Sequence, residues 1–467
     1  YYPDRSMNPL YGSDYTNRVV MSLMYQGLFA VDAKNNTTPI LCSSYQVTPD
    51  NRTWTIYLEP DATFSDGTRV TVQDVVASYE QARGNVYYKG RFTHIARVEL
   101  SSDGGVDFFL DTPYQNLALL LDIPIVKASE VSSDNPLGTG PYSLEEGIGG
   151  KHLQRVVNWW CKSENLVAKD SSIALIEAES PSQIRDEFEF SGLSVVCTNP
   201  QTDSYADYRC DFELWEVDSG FLMYIGCNVT YSDYFDDGTL RTFLTYGIDR
   251  QSLVDNNYGG LALPTTLPIS PMSPYYSKSL AATYDYDEMR FIDAASKLRV
   301  PTNDKGVTRT LKLLVNSDDS ARLRCARNIA ATLTELGLAC ETVESPTSVY
   351  EARLQAANYD IYLGITKLPA TADLSEFFRP WGEMSWGGLA NETIYTMVKQ
   401  SLADRGNYYN LHKLVEDNGH IIPVMAGYYA IYAKRGVLSD LNPARDNVFY
   451  YTLGKTMESS KVATQFS

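Results

Sequence analysis

Alternating strand and helix patterns between residues 310 and 365 constrain the fold of this chain more than any other feature. Three apolar, strand-like runs alternate there with two helical patterns, at 310–315, 320–336, 338–344, 350–357 and 359–365. In the first helical pattern, apolar residues from Leu323 to Leu336 recur at steps of three or four and so share one face. Strands that are connected through helices form parallel sheets with right-handed crossovers. We therefore predict an α/β fold.

Residues 221–274 combine a strand, a helix and a proline-rich loop. The apolar run 221–225 predicts a buried strand, and the spacing at 239–257 predicts one amphipathic helix. This helix would place Asp249 and Arg250 on its solvent side. A second long apolar strand is predicted at 421–433. Because we find no flexible linker in the sequence, we expect these two strands to connect its domains.

Length and charge disfavour several classes of protein. The chain has 467 residues, which predicts two or three domains. Its net charge of −19, without a cluster of Lys and Arg, disfavours nucleic-acid binding. No apolar run reaches the roughly 18 residues of a membrane-spanning helix. The seven cysteines form no C-x-x-C pair, although Cys197 and Cys210 are near enough in sequence to close a short loop, and the four histidines lack metal-ligand spacing.

Each catalytic motif that the sequence suggests lacks residues that the motif requires. Residues 147–152 suggest a phosphate-binding loop, but Glu145 stands where its first glycine belongs and His152 where its Ser or Thr belongs. Neither a G-x-S-x-G nor an H-E-x-x-H motif occurs. We therefore expect no enzyme activity, no cofactor and no bound metal.

Four segments, taken in order, carry a resemblance to a known family. They read WTIYLEPDATFSDGTRVTVQDVVASYEQA (54–82), NPLGTGPYSL (135–144), FDDGTLRTFLTYGIDRQSLVDNNYGGLALPTTLPISP (235–271) and LKLLVNSDDSARLRCARNIAATLTELGLACETVESPTSVYEARLQAANYDIYLG (311–364). Together they resemble the extracellular solute-binding proteins of the peptide/nickel class, family 5, which are the receptors of ABC importers.

This resemblance implies a two-lobe, periplasmic-binding-protein-like α/β fold (type II, cluster C) with two hinge strands. Lobe I would comprise 1–40, 136–223 and 428–467, with an extra subdomain inserted at 41–135, and lobe II would comprise 224–427. Such a receptor captures a short peptide or peptide-like solute between its lobes by hinge closure and is not an enzyme.

The resemblance also implies where the chain works and with what. We expect a monomer that is extracellular, as a cell-surface lipoprotein or in the periplasm. Its partners would be the solute and the permease of the importer, but no nucleic acid. Contact with the membrane would come only through a removed lipid anchor.

The resemblance carries candidate ligand-binding residues onto both lobes. In lobe I they lie in the turn after the first helix and after the strand 193–197: Tyr25, Gln26, Gly27, Leu28, Thr198 and Asn199. In lobe II they follow the strand 359–363: Thr366 and Lys367, with Trp381 and Trp386 further on as aromatic surfaces for flat or cationic ligands. Whether Tyr224 or Asn228 on the first hinge strand faces the ligand is left open.

One position departs from the family pattern. Peptide-binding members carry an Asp four residues after the strand-ending glycine, and this Asp pairs with the α-amino group of the peptide. Counting from Gly364 gives Leu368, and Asp373 lies five residues beyond it. Lys367 stands beside the expected position, and because an unpaired buried ammonium is costly, it would face water or meet an anionic group.

Two other readings therefore stay open. The same fold would also suit an amino acid derivative, an opine, an oligosaccharide or a metal chelate. A secreted carboxylate-dependent hydrolase is suggested only by the abundance of Asp and Glu, at 58 residues.

Overall fold

The computed structural model describes residues 1–12, 14–161, 171–201, 208–236, 238–438, 441, 443–446 and 448. The α-helices within these residues are α1 (Tyr15–Met21), α2 (Val72–Ala82), α3 (Pro181–Phe190), α4 (Thr239–Phe243), α5 (Arg250–Tyr258), α6 (Lys278–Ala281), α7 (Glu288–Lys297), α8 (Ser320–Glu335), α9 (Thr347–Gln355), α10 (Ser375–Phe378), α11 (Glu392–Ala403) and α12 (Tyr408–Asn418). The strands are β1 (Phe29–Val31), β2 (Thr37–Pro39), β3 (Cys42–Val47), β4 (Thr53–Leu58), β5 (Ile95–Leu100), β6 (Val106–Leu110), β7 (Tyr142–Gly147), β8 (Gly150–Arg155), β9 (Ser172–Ala174), β10 (Val195–Thr198), β11 (Phe212–Cys227), β12 (Leu263–Pro264), β13 (Leu311–Asn316), β14 (Cys340–Ser345), β15 (Ile361–Lys367) and β16 (Ile421–Lys434).

The chain divides into two compact units. Unit 1 consists of Tyr1–Val217, Pro369–Thr371 and Tyr429–Ser467, and unit 2 consists of Asp218–Leu368 and Ala372–Tyr428. The chain therefore leaves unit 1 within β11 and returns to it within β16, apart from the short passage 369–371. The predicted lobe boundaries, including the inserted subdomain 41–135, stay a prediction.

Unit 1 is built from antiparallel pairs. The hairpin β1–β2, the four-stranded sheet β3-β4-β6-β5 and the three-stranded sheet β7-β8-β9 lie within it. Strand β10 pairs with the C-terminal part of β16, from Val195 opposite Ala433 to Thr198 opposite Ala430. Strands β5 and β6 form a β-hairpin around the turn residues Asp103, Gly104 and Gly105.

Unit 2 contains the parallel sheet that the pattern at 310–365 predicts. Strand β13 lies between β15 and β14 and is parallel to both, with α8 and α9 as the connecting helices. Strand β11 is antiparallel to β15, from Phe221 opposite Lys367 to Cys227 opposite Ile361. The buried positions of β13 and α8 include Leu313, Val315 and Ile329, so the apolar residues of strand and helix form the core of this unit.

The helix predicted at 239–257 is wrong as a single element. A 3-10 turn at Leu244–Gly247 separates α4 from α5, and Asp249 caps α5 by accepting the N–H of Ser252 at 3.0 Å. A Cβ atom added to Gly247 would lie 2.6 Å from the ring of Phe291, so the backbone here approaches α7 too closely for a larger residue.

The predicted solvent position of Arg250 is also wrong. The break in the helix turns its guanidinium into the core, where the residue is 4% exposed. Its Nε donates to the Pro423 carbonyl oxygen at 2.8 Å, and its Nη2 donates to the Thr245 hydroxyl at 2.7 Å.

Candidate functional site

The turn at 25–28 is held in unit 1 by the Gly-Thr-Gly segment that belongs to the motif at 135–144. The Gly140 N–H donates to the carbonyl oxygen of Met24 at 2.8 Å. A Cβ atom added to Gly138 would lie 2.2 Å from the same oxygen, so the approach requires glycine. The motif therefore has a packing role: it fixes the backbone that leads into the turn.

The side chains of this turn point away from solvent. Tyr25, Gln26 and Leu28 are buried and Gly27 is half-buried. The hydroxyl of Tyr25 donates to a carbonyl oxygen at 2.8 Å, and the carbonyl oxygen of Gln26 accepts the N–H of Ile125 at 2.8 Å. Of the four predicted residues, Gly27 is thus the one that reaches partial exposure.

A charged cluster, composed of Arg18, Arg91, Asp122 and Asp446, lies beside this turn. Arg91 donates to Asp122 through Nε at 2.5 Å and through Nη2 at 2.7 Å, and its Nη2 also donates to Asp446 at 2.7 Å. The Arg18 guanidinium lies 3.2 Å from the ring centroid of Tyr87, whose hydroxyl donates to Asp446. The four charged side chains are 8–17% exposed.

The electrostatics of this cluster keep both arginines charged. Burial opposes the charged form of Arg91, but the carboxylates of Asp122 and Asp446 outweigh it, so the pKa of the guanidinium lies above its ordinary value. The cluster joins α1, the segment after α2, the segment behind the turn and the C-terminal segment. It is a balanced set of two cations and two anions.

The second predicted contribution of unit 1 is the end of β10. Thr198 is buried and pairs with Ala430 of β16, and Asn199 is half-buried with its Oδ1 accepting the N–H of Gln201 at 3.2 Å. The Thr16 hydroxyl on α1 donates to the Cys197 carbonyl oxygen at 2.9 Å. Helix α1 therefore positions both predicted segments of unit 1, one at its own C-terminal end and one through this bond.

In unit 2, Thr366 and Lys367 are the last residues of β15 and both are half-buried. The Lys367 ammonium lies 5.7 Å from the ring centroid of Phe221, its cross-strand partner on β11. The Leu368 N–H donates to the carbonyl oxygen of Gly220 at 2.8 Å, so the ladder holds the strand end in place. The structure therefore places the Lys367 ammonium at the end of β15.

Asp373 does not lie free at the strand end. It is 6% exposed, and its Oδ1 accepts the N–H of Ser375 at 2.8 Å at the start of α10. Part of its hydrogen-bonding capacity is therefore used to begin a helix.

The two predicted tryptophans differ sharply in their surroundings. Trp386 begins a 3-10 turn and is half-buried, and the adjacent Gly387 carbonyl oxygen accepts the N–H of Thr230 at 3.2 Å. Trp381 is 97% exposed and has a φ of 61°. Both belong to unit 2, on the segment between α10 and α11.

Tyr224 and Asn228, left open by the sequence, are both core residues of unit 2. The Asn228 amide donates to the carbonyl oxygens of Ala357 at 3.0 Å and Tyr359 at 2.7 Å. The ring of Tyr224 packs on Gly364, and its hydroxyl lies 3.4 Å from that of Tyr362. Burial raises the pKa of Tyr224 to about 12, which keeps its hydroxyl neutral.

Sequence reasoning missed two groups of largely buried charges: the charged cluster of unit 1 and, in unit 2, Arg250 with Glu416. Burial lowers the pKa of Arg250 to about 10 and raises the pKa of the Glu416 carboxyl well above its usual range. No local signal marks these groups, since Arg91 and Asp446 are 355 positions apart in the sequence.

The described part of the chain lacks a metal site, a disulfide and a membrane-spanning helix. No group of three or more His, Cys, Asp or Glu residues there could hold a metal ion. All seven cysteines are free thiols, so Cys197 and Cys210 do not close the short loop. Among the helices of these same residues, none combines the length and apolarity that crossing a bilayer demands.

Comparison with known proteins decides the family. The profile described as "Bacterial extracellular solute-binding proteins, family 5 Middle" matches residues 36–388. This chain belongs to that family. Membership confirms the resemblance drawn from the four segments, and family 5 proteins are periplasmic or extracellular.

Individual relatives of this family 5 chain are distant. It is 24% identical over 302 residues to the glutathione-binding protein GsiB of Escherichia coli O6:K15:H31, covering 60% of this chain and 57% of that protein, so it spans less than two thirds of these relatives. The oligopeptide-binding protein AppA of Bacillus subtilis, solved with a nonapeptide, has a TM-score of 0.65, 17% identity and 96% coverage of both chains. NikA of Brucella suis, solved with Fe(III)-EDTA, has a TM-score of 0.72, 16% identity and 96% coverage of both chains. These structures confirm the predicted two-lobe α/β fold and leave the solute open.

Proposed function

We propose that this chain is the extracellular receptor of an ABC importer and captures a short peptide or peptide-like solute by hinge closure. The observation that carries the proposal is the family match over residues 36–388, together with the passage of the chain between its two units within β11 and β16. Family 5 is named for extracellular solute binding, so the proposed role is binding and not catalysis. The permease partner and a lipid anchor or periplasmic location are parts of the same proposal.

The exposure of each predicted residue suggests a division of roles. We propose that Gly27, Asn199, Thr366, Lys367 and Trp386 contact the solute, since each is partly exposed. The buried residues Tyr25, Gln26, Leu28 and Thr198 would hold the backbone of those segments in place. Such positioning residues affect affinity through the geometry of their neighbours.

Calorimetry tests the peptide proposal. The protein is unfolded and refolded to remove co-purified solute, and it is then titrated with pools of di- to hexapeptides and with a pool of free amino acids as the control. We expect heat of binding at micromolar peptide concentrations and none with the control. If peptides give no heat while another class of solute binds at micromolar concentrations, the proposal that the solute is a peptide is wrong.

A second candidate keeps the fold and changes the solute to an anionic or non-peptide compound. The observation that favours it is Lys367 at the end of β15, beside the position where peptide-binding members carry an Asp. An ammonium there suits a carboxylate better than an α-amino group.

The Lys367→Ala variant distinguishes the two candidates. If the solute is anionic, its affinity falls by about tenfold or more, which is typical of losing one charge-assisted hydrogen bond. The matched control is Lys399→Ala, a lysine of unit 2 that is paired with Glu392 on the surface of α11. Unchanged affinity of Lys367→Ala for an anionic solute would remove the argument for a carboxylate contact.

A further inference from the structure

A four-residue turn after α10 carries the most exposed large aromatic residue of unit 2. The Gly382 N–H donates to the Arg379 carbonyl oxygen at 3.2 Å, with Pro380 in the second position and Trp381 in the third. A φ of 61° at Trp381 gives this segment the form of a type II turn, whose third position normally holds Gly or Asn. A bulky side chain in that conformation is an outlier, and outliers of this kind concentrate at functional sites.

Hydrogen bonds to Glu376 hold the turn in place. Its carboxylate accepts hydrogen bonds from the Arg379 guanidinium at 2.7 and 3.3 Å and from the Glu383 N–H at 2.8 Å. Its carbonyl oxygen accepts the N–H of Met384 at 3.1 Å and would lie 2.3 Å from a Cβ atom added to Gly382. The position of Trp381 is therefore built by its neighbours and does not come from a loose loop.

The residues of unit 2 do not enclose the indole of Trp381. Trp381 is 97% exposed, and the adjacent Pro380 and Glu383 are exposed as well. Small solutes bind in concave sites that enclose most of their surface, whereas a projecting tryptophan fits a pocket on the surface of another protein. Unit 2 thus leaves the indole available to a group outside the unit, and a projecting tryptophan is typical of a protein–protein contact.

The charge around the turn restricts the partner further. Glu383, two residues after Trp381, is exposed, and the whole chain has a net charge of −19. A complementary surface would combine an apolar pocket with a basic rim, because opposite potentials favour association.

We propose that Trp381 is a docking residue that inserts into an apolar, basic-rimmed pocket of a protein partner, and that this partner is the permease of the importer. The identity of the partner rests on the proposed function. This role accounts for a tryptophan at a position suited to glycine, because the indole would make its contact outside the unit.

Site-specific photo-crosslinking tests the contact. A photoreactive amino acid replaces Trp381 in the full chain, which is then irradiated on membrane vesicles that carry the importer of the same organism. We expect a covalent adduct whose second component is identified by mass spectrometry as a transmembrane subunit of that importer. The matched control places the same amino acid at Met289, which is 76% exposed on α7 of unit 2, and should give no such adduct. An adduct with another copy of this chain, with a different protein, or no adduct at all overturns the proposal.

The Trp381→Ala variant separates this proposal from the proposed function. We expect it to bind the peptide pools with the heat of the parent protein, while the concentration needed to stimulate ATP hydrolysis by the importer rises roughly thirtyfold, as expected for a hot-spot tryptophan. Met289→Ala should leave both measurements unchanged. A loss of peptide binding in Trp381→Ala would make the residue a solute contact and overturn the docking role. Failure of the parent protein to bind any solute would instead count against the proposed function.

Discussion

Gly138 shows how a single residue of unit 1 can fix the backbone of the candidate site without contacting the solute. It makes no proposed contact with a solute, yet its α-carbon lies where the backbone of Met24 leaves no room for a side chain. Residues of this kind explain why the Gly-Thr-Gly segment belongs to the pattern that marks the family.

Replacing Gly138 with Ala is expected to destabilise the protein by about 1–3 kcal/mol, the usual cost of forcing an added methyl group into a packed region. Urea unfolding measures the change. Gly149→Ala is the matched control, because nothing lies within 4 Å of the added atom there. Equal stability of the two variants would contradict the close approach that we describe.

His412 predicts a dependence of stability on pH. It is fully buried on α12, and in the described part of the chain neither ring nitrogen has a hydrogen-bond partner. Burial lowers its pKa to about 3. The imidazole is therefore neutral in the folded protein and gains a proton on unfolding whenever the pH is below the ordinary value of about 6.5. Stability is complete above that pH and is lost as the pH falls towards 3, by up to about 1.4 kcal/mol per pH unit.

The His412→Leu variant should weaken this dependence by one proton between about pH 6.5 and 4. The free energy of unfolding is measured in urea at a series of pH values. The control variant is His152→Gln, at a half-buried histidine on β8. A parental slope in His412→Leu would show that another group causes the loss. His420, whose pKa burial lowers to about 4, would then be tested next.

Strand β11, one of the two strands that carry the chain between the units, is held against β15 by reciprocal packing of tyrosine on glycine. On β11 and β15, Tyr224 is opposite Gly364 and Gly226 is opposite Tyr362, so each ring covers the glycine of its partner strand. The two rings also contact each other edge-to-face, with centroids 5.7 Å apart. This packing fixes the register of β11 where it enters unit 2.

Gly226→Ala should break this arrangement, since the added Cβ atom would lie 2.2 Å from the Tyr362 ring. We expect a loss of about 1–3 kcal/mol, measured by urea unfolding. The double variant with Tyr362→Leu should cost less than the sum of the two single changes, because the collision is then absent. Additive costs would mean that the ring is not the cause.

Elements with a regular pattern could be predicted from the sequence, whereas elements shaped by distant neighbours could not. The pattern at 310–365 predicts β13, α8, β14, α9 and β15, because each strand or helix there buries its own apolar face. The helix expected at 239–257 fails because Phe291 and Asp249 impose a break that periodicity does not register. Likewise, burial of Tyr25 and Leu28 depends on the segment 121–141, so sequence could place the turn but not its exposure.

Across the whole molecule, the charged cluster links the C-terminal segment to the start of the chain in unit 1. Asp446→Asn would leave the guanidinium groups of Arg18 and Arg91 with one carboxylate between them. Removing one partner of a buried ion pair costs about 3–5 kcal/mol. We expect a loss of that size in urea unfolding. Asp293→Asn, which removes an exposed partner of Lys297, should cost less than about 0.5 kcal/mol. Similar values for both variants would contradict the structural role of Asp446.

The position of Asp446 in the chain also sets an order of events during synthesis. Unit 2 is encoded almost without interruption between residues 218 and 428, so all of its strands leave the ribosome before those that complete unit 1. Arg18 and Arg91 emerge early, but their shared carboxylate arrives more than 350 residues later than Arg91. Until translation reaches Asp446, the charged cluster has two cations for one anion, and β10 lacks its partner strand until β16 is made. The unit whose translation begins first is therefore the unit whose native contacts are the last to become available.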